Sequence, residues 1–278
     1  MCHCLVLQPC SRPGSPPQSF EVLDAFYNLG GNFLDTANNY QNEEPEIWID
    51  EWMKARGNRE QLVVATKYTT GFRNAHRDKE PLQSNYVSNS MKSMQTLVQH
   101  RLEKLQTDYI DLLYVHWWDF TTSVEEVMHG LNNLINSGKV LYLGVSDTPA
   151  WLVVKANDYA KAHGLRPFSV YQGKRDAGFR GMERVIIPIC RDQGMAICPW
   201  APVGQGKFKS SDARKSGEKG IHPIVGQRAV KHLKSNIDAL GVSLTKEDMR
   251  NIDEAAPFDI GFPMNFVFQE YDSTVHIF

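Results

Sequence analysis

The chain has 278 residues, 42% of them hydrophobic, and a formal net charge of −2. That length suits one (β/α)₈ barrel, the apolar content rules out wholesale disorder, and no basic excess points to a nucleic-acid or anionic-membrane partner. No run approaches the roughly 18 apolar residues of a transmembrane helix. The start, Met1 to Cys10, lacks the basic and apolar regions of a secretory signal. The five cysteines (Cys2, Cys4, Cys10, Cys190, Cys198) lack framework spacing and read as reduced thiols of a cytoplasmic protein. Cys2-His3-Cys4 is too tightly spaced for a zinc set, so no metal is expected.

Residues 8–19, rich in proline, serine and glycine, read as loop, so 1–19 is expected to be irregular and 20–278 to form one domain. Phe20, Leu23, Phe26 and Leu29 mark a helical stripe that Gly30-Gly31 stops, and a short strand, Asn32 to Thr36, follows. A second helix carries Ile47, Trp48, Trp52 and Met53, with a strand from Gln61 to Thr66 after it. A long helix is predicted over Ser84 to Leu105, then a strand over Tyr109 to Val115. Ser123 and Glu126 form a capping box ahead of Val127, Leu131, Leu134 and Ile135. The strand Val140 to Val145 comes next, and Thr148-Pro149 reads as an N-cap with proline at the first helical position. Strand Phe168 to Tyr171, helix Met182 to Gln193, strand Met195 to Cys198, a short strand His222 to Val225, helix Ala229 to Leu240 and a capped segment from Thr245 complete the order.

Short apolar strands alternating with amphipathic helices mean a parallel sheet covered by helices. No G-x-G-x-x-G follows any strand, so the dinucleotide fingerprint of a doubly wound sheet is absent. Polar residues instead stand just past many different strands: Asp35, Lys67, His116, Ser146 and Gln172. A barrel gathers such residues on its C-terminal face, so the fold class is α/β, a (β/α)₈ TIM barrel. It is expected to be incomplete. Cys4 to Leu7 would be a degenerate first strand, and Lys207 to Gly220, nearly devoid of apolar residues, cannot supply the outer helix due there.

Asp35, Tyr40, Lys67 and His116 would meet at one barrel mouth. A phenol with its ordinary pKa near 10 is a poor acid at neutral pH, and a neighbouring buried ammonium favours the phenolate. A carboxylate holds the lysine charged and oriented, and an imidazole can hydrogen-bond a carbonyl oxygen. The set suits protonating an oxygen while hydride reaches the adjacent carbon. Taken singly, each residue type at such a place is more often structural. Of Trp117 and Trp118, which follow His116, alternation lets at most one enter the pocket as an aromatic wall for flat, apolar substrates.

The segments Gly30-Gly-Asn-Phe-Leu-Asp-Thr-Ala-Asn-Asn-Tyr40, Val64-Ala-Thr-Lys-Tyr68 and Leu113-Tyr-Val-His-Trp-Trp-Asp119 resemble the aldo-keto reductases, closest to the fungal aryl-alcohol dehydrogenase and norsolorinic acid reductase group. The resemblance implies a barrel that binds NADP(H), with Tyr40 as general acid, Lys67 and Asp35 tuning it, and His116 orienting the carbonyl. It implies that Ser146, Asp147 and Gln172 hold the nicotinamide carboxamide and that Trp200 stacks on the ring. Gly204 and Gly206 would let the loop approach the pyrophosphate. Gly226, Gln227, Arg228, His232 and Asn236 would form the adenosine end, with Arg228 on the 2′-phosphate. The implied partner is a small aromatic carbonyl or alcohol. The chain departs from the family at its start, before its last strand, and at Gly173-Lys-Arg-Asp176, where relatives carry an aromatic residue and Asn. Two readings follow: an NADPH-dependent reductase of aromatic aldehydes or ketones, or a catalytically impaired nucleotide-binding or interaction protein on a decayed barrel.

Overall fold

Strands buried on both faces need continuous apolar runs and helices on the outer side, and the chain is built that way. The structure, a computed structural model, describes residues 4–6, 16–40, 44–202, 230–239 and 241–267. Strands β1 (Cys4–Val6), β2 (Phe33–Asp35), β3 (Val63–Tyr68), β4 (Ile110–Val115), β5 (Val140–Ser146), β6 (Val170–Lys174) and β7 (Ala196–Trp200) form one sheet in chain order. Every neighbouring pair is parallel. The connecting helices are α1 (Pro16–Asn28), α2 (Glu44–Arg56), α3 (Met91–Lys104), α4 (Val124–Asn136), α5 (Ala150–Ala162) and α6 (Met182–Asp192). Helices α7 (Val230–Ala239) and α8 (Lys246–Ala255) and a last helical turn, Met264–Val267, follow.

The sheet is curled. Strands β2 and β6 stand four places apart in its order, which in a flat sheet means roughly 19 Å. Yet Gln172 Nε2 on β6 donates to Asp35 Oδ2 on β2 at 3.2 Å. Helix packing follows the same circle. Leu233 of α7 is buried in one cluster with Val22, Leu23 and Phe26 of α1, so a helix late in the chain covers the first. The fold is an incomplete (β/α)₈ barrel among the described residues.

Alternation along the strands divides the side chains. Leu34, Leu113, Val115 and Val145 point out into clusters shared with the helices. Ala65, Leu112 and Tyr114 form a separate interior cluster, with Phe33 and Val170 against it. Gly144 pairs with Tyr114 in the register. A Cβ there would meet the Tyr114 ring at 2.4 Å, so only glycine lets the phenol lie across β5. Gly144→Ala is expected to destabilise the fold by about 1–3 kcal/mol, the usual cost of overpacking, and a urea melt checks it.

Several elements differ from expectation for physical reasons. The segment 8–19 read as loop contains the first turn of α1, which starts at Pro16 because proline suits a helix N-terminus. Cys4 to Val6 fills the place of the first strand, paired with β2. The helix predicted over Ser84 to Leu105 starts only at Met91. Ser84–Tyr86 is a 3₁₀ turn, Ser88 has φ 107°, and Ser90 caps the helix. Local bonds of the Ser88 hydroxyl to Ser90, and long-range bonds of the Asn89 side chain to Thr69 and Trp117, hold Ser88-Asn89-Ser90 out of the helix. Thr148 is not the N-cap of α5. Its hydroxyl donates back to Ser146 O at 2.9 Å, and Pro149 occupies the cap position. The Ser123 box is half made: Ser123 accepts from Glu126 N, but the Glu126 carboxylate accepts from Met91 N. The strand His222 to Val225, the segment Lys207 to Gly220, and Gly204, Gly206, Gly226, Gln227 and Arg228 lie outside the described residues.

Candidate active site

Asp35 ends β2, and its two carboxylate oxygens each accept from Lys67 Nζ at 2.8 Å. The third ammonium proton goes to Thr36 O at 2.9 Å. Both side chains of the pair are 1% exposed. All three protons of Lys67 are thus committed, so the lysine is a fixed positive charge and not a proton donor. Gln172 completes the cluster by donating to Asp35 from across the barrel.

Tyr40 sits on the loop leaving β2. Thr36 N donates to Ala65 O, and Tyr40 N closes a turn onto Ala37 O. Asn38 Nδ2 donates to Thr70 O at 2.8 Å and ties this loop to the one after β3. The Lys67 ammonium lies 5.5 Å from the centre of the Tyr40 ring. The Tyr40 and His116 rings meet edge to face, 6.5 Å between centres. His116 directly follows β4, and its backbone N–H donates to Tyr68 O. The predicted tetrad therefore converges at the C-terminal face of the sheet.

Burial, and then the Lys67 charge, bring the His116 imidazole down to about pH 3 from its ordinary 6.5. The imidazole is neutral at physiological pH. The unfolded chain takes up a proton near pH 6.5 that the folded chain takes up only near pH 3. Stability from this group is present above that window and is lost as pH falls through it, at up to about 1.4 kcal/mol per pH unit. His116→Gln is expected to flatten the fall of the urea midpoint between pH 6.5 and 4. An unchanged pH dependence would contradict the buried, neutral imidazole.

The residues that the resemblance assigns to a cofactor fall into two groups. Ser146, Gln172 and Trp200 lie at or near the ends of adjacent strands β5, β6 and β7, with Ser146 paired to Gln172 in the register. Asp147 follows Ser146 with φ 42°, and its carboxylate accepts the Trp200 indole N–H at 3.0–3.1 Å. A hydroxyl, a side-chain amide and a flat indole on one rim fit a carboxamide-bearing ring. Asn236, on α7, has its Nδ2 buried with no hydrogen-bond partner among the described residues, a donor a bound ligand would satisfy. His232 lies on the same helix, but its side chain is outside the described residues.

The tryptophans separate as alternation requires. Trp118 is 5% exposed in the hydrophobic core, and Trp117 is 37% exposed at the mouth. Trp118 is therefore a packing residue, and of the two only Trp117 is open at the mouth. Thr70, not singled out in the sequence, lies between His116 and Trp117. Its hydroxyl is 3.2 Å from His116 Nδ1 and 2.9 Å from Trp117 Nε1. Asn89 was also missed: it links Thr69, Trp117 O and the Asp119 carboxylate. The only available signal was the pair of hydroxyls two and three residues past Lys67.

An Asp, a Tyr, a Lys and a His thus stand together at the C-terminal face of a curled parallel sheet. The chain matches the Aldo/keto reductase family over residues 9–218 and belongs to that family. It is 49% identical to the norsolorinic acid reductase of Aspergillus flavus, over 90% of this chain and 74% of the relative. It is 44% identical to an aryl-alcohol dehydrogenase of Pestalotiopsis microspora (90% and 75% covered). It is 45% identical to the aryl-alcohol dehydrogenase (NADP(+)) of Phanerodontia chrysosporium (88% and 77% covered). The protein is an oxidoreductase of the aldo-keto reductase family, and no helix among the described residues is long and apolar enough to cross a membrane.

Proposed function

We propose that this protein interconverts small aromatic aldehydes or ketones and their alcohols with NADP(H), in secondary metabolism and in the cytoplasm. The observation that carries the reading is the fully committed Lys67: with its three protons on Asp35 and Thr36 O, Tyr40 is left as the acid beside the neutral His116. NADPH held at the strand-end rim would supply the hydride for the carbonyl carbon. Tyr40 gives its phenolic proton to the carbonyl oxygen, and the Lys67 charge stabilises the phenolate that remains. His116 orients that oxygen, Trp117 offers an aromatic wall, and Ser146, Asp147, Gln172 and Trp200 hold the nicotinamide end. Similarity to an aryl-alcohol dehydrogenase (NADP(+)) and to norsolorinic acid reductases supports the cofactor and the aromatic substrate.

Incubation with NADPH and an aryl aldehyde such as veratraldehyde, read as alcohol formed, tests the reading. NADPH binding without any alcohol would favour the impaired nucleotide-binding protein instead. Arg228 is assigned to the 2′-phosphate, since a guanidinium meets phosphate bidentately. Arg228→Ala is expected to weaken NADPH by about 1.5–3 kcal/mol and leave NADH nearly unchanged. Equal losses for both cofactors in a fluorescence titration would show that Arg228 is structural.

A further inference from the structure

We propose that the Thr70 hydroxyl, oriented by the Trp117 indole, holds His116 in the tautomer with its proton on Nε2, so that His116 presents a hydrogen-bond donor to the substrate oxygen. The role of that donor rests on the carbonyl-reducing function proposed above. The tautomer itself does not.

The argument is one of donors and acceptors. An indole N–H only donates, so Thr70 Oγ1, 2.9 Å from Trp117 Nε1, accepts there. The same oxygen is 3.2 Å from His116 Nδ1. A hydroxyl has one proton. Were the imidazole proton on Nδ1, Oγ1 would accept twice and its own proton would have no partner among the described residues. With Nδ1 bare, the Thr70 proton goes to it and both interactions are satisfied. An unmade bond at a part-buried hydroxyl is costly, so the second arrangement prevails. The proton of the neutral ring then sits on Nε2, which makes no hydrogen bond to a described residue.

The relay is held in place from both sides. Asn89 Nδ2 donates to Thr69 Oγ1 at 2.8 Å and lies 3.0 Å from Trp117 O, so one side chain fixes both ends. Asn38 holds Thr70 O, and Ser88 N holds Thr69 O at 2.9 Å. Thr69 has φ 107°, a region a β-branched residue rarely enters. Such strain persists only where the surroundings over-determine it, and it marks positions under functional constraint. Here it brings the next hydroxyl between the two rings.

The test is a long-range ¹H–¹⁵N spectrum of histidine-labelled protein at neutral pH without cofactor, with His116 identified by its loss in His116→Gln. The expected result is a bare, pyridine-like Nδ1 and a protonated, pyrrole-like Nε2. Thr70→Val, close in shape but without the hydroxyl, should move the population toward Nδ1–H, and Thr70→Ser should keep the wild-type pattern. A protonated Nδ1 in the wild type, or no change in Thr70→Val, would overturn the proposal. If Thr70→Val does not fold, the wild-type spectrum still decides. In turnover with an aryl aldehyde, Thr70→Val should lower kcat by about 10–100-fold, the usual effect of losing a ligand-orienting partner, with NADPH affinity unchanged and Thr70→Ser restoring most of it. The expected tautomer in a protein with no turnover would sink the reductase reading alone.

Discussion

Tyr40→Phe is expected to lower kcat by at least ~10²-fold while NADPH binds with nearly its original affinity. The substitution removes one oxygen and keeps the ring that meets His116 edge to face. No other member of the cluster can replace the lost proton. Lys67 holds its three protons on Asp35 and Thr36 O, and the His116 imidazole is neutral. A steady-state assay beside a cofactor titration separates the two effects. Turnover retained within a few-fold would remove Tyr40 from the role of acid.

The second large effect concerns stability. Asp35→Ala would leave the Lys67 ammonium in the barrel interior without the carboxylate that accepts two of its protons, and would also strip Gln172 of its partner. Removing one member of a buried pair costs about 3–5 kcal/mol. A whole domain holds only about 5–15 kcal/mol, so the variant should melt far earlier or fail to fold. The double variant Asp35→Leu with Lys67→Met replaces the pair by apolar groups. It is expected to regain much of the lost stability and none of the activity. A single variant as stable as the wild type in a thermal melt would mean that Lys67 finds other compensation, or that the pair is far wetter than its burial implies.

The barrel was legible because helix-then-strand periodicity repeats along the chain, and the tetrad because its members stand near strand ends. The C-terminal bounds of three strands were less legible. The strands expected to end at Thr66, Tyr171 and Cys198 run on to Tyr68 in β3, Lys174 in β6 and Trp200 in β7. An apolar criterion stops at the first charged or polar residue. At the top of a barrel those residues point inward to one another, and the backbone ladder continues beneath them. Lys67 and Gln172 are therefore strand residues, held more rigidly than loop residues would be. The late start of α3 was hidden for a related reason. Val87, Met91, Met94 and Val98 keep a helical spacing, but Asn89 is spent on Thr69, Trp117 and Asp119. Thr70 carried no pattern of its own: its place between His116 and Trp117 arises only when β3 and β4 pair.

The most direct measurement of the central claim is a single turnover in which NADPH carrying deuterium at its transferable nicotinamide position is mixed with the protein and an aryl aldehyde. The account predicts an alcohol bearing that deuterium on its carbinol carbon, formed in step with NADPH loss and at least ~10²-fold more slowly in Tyr40→Phe. NADPH bound but unconsumed, an alcohol without deuterium, or equal rates in the two proteins would contradict it.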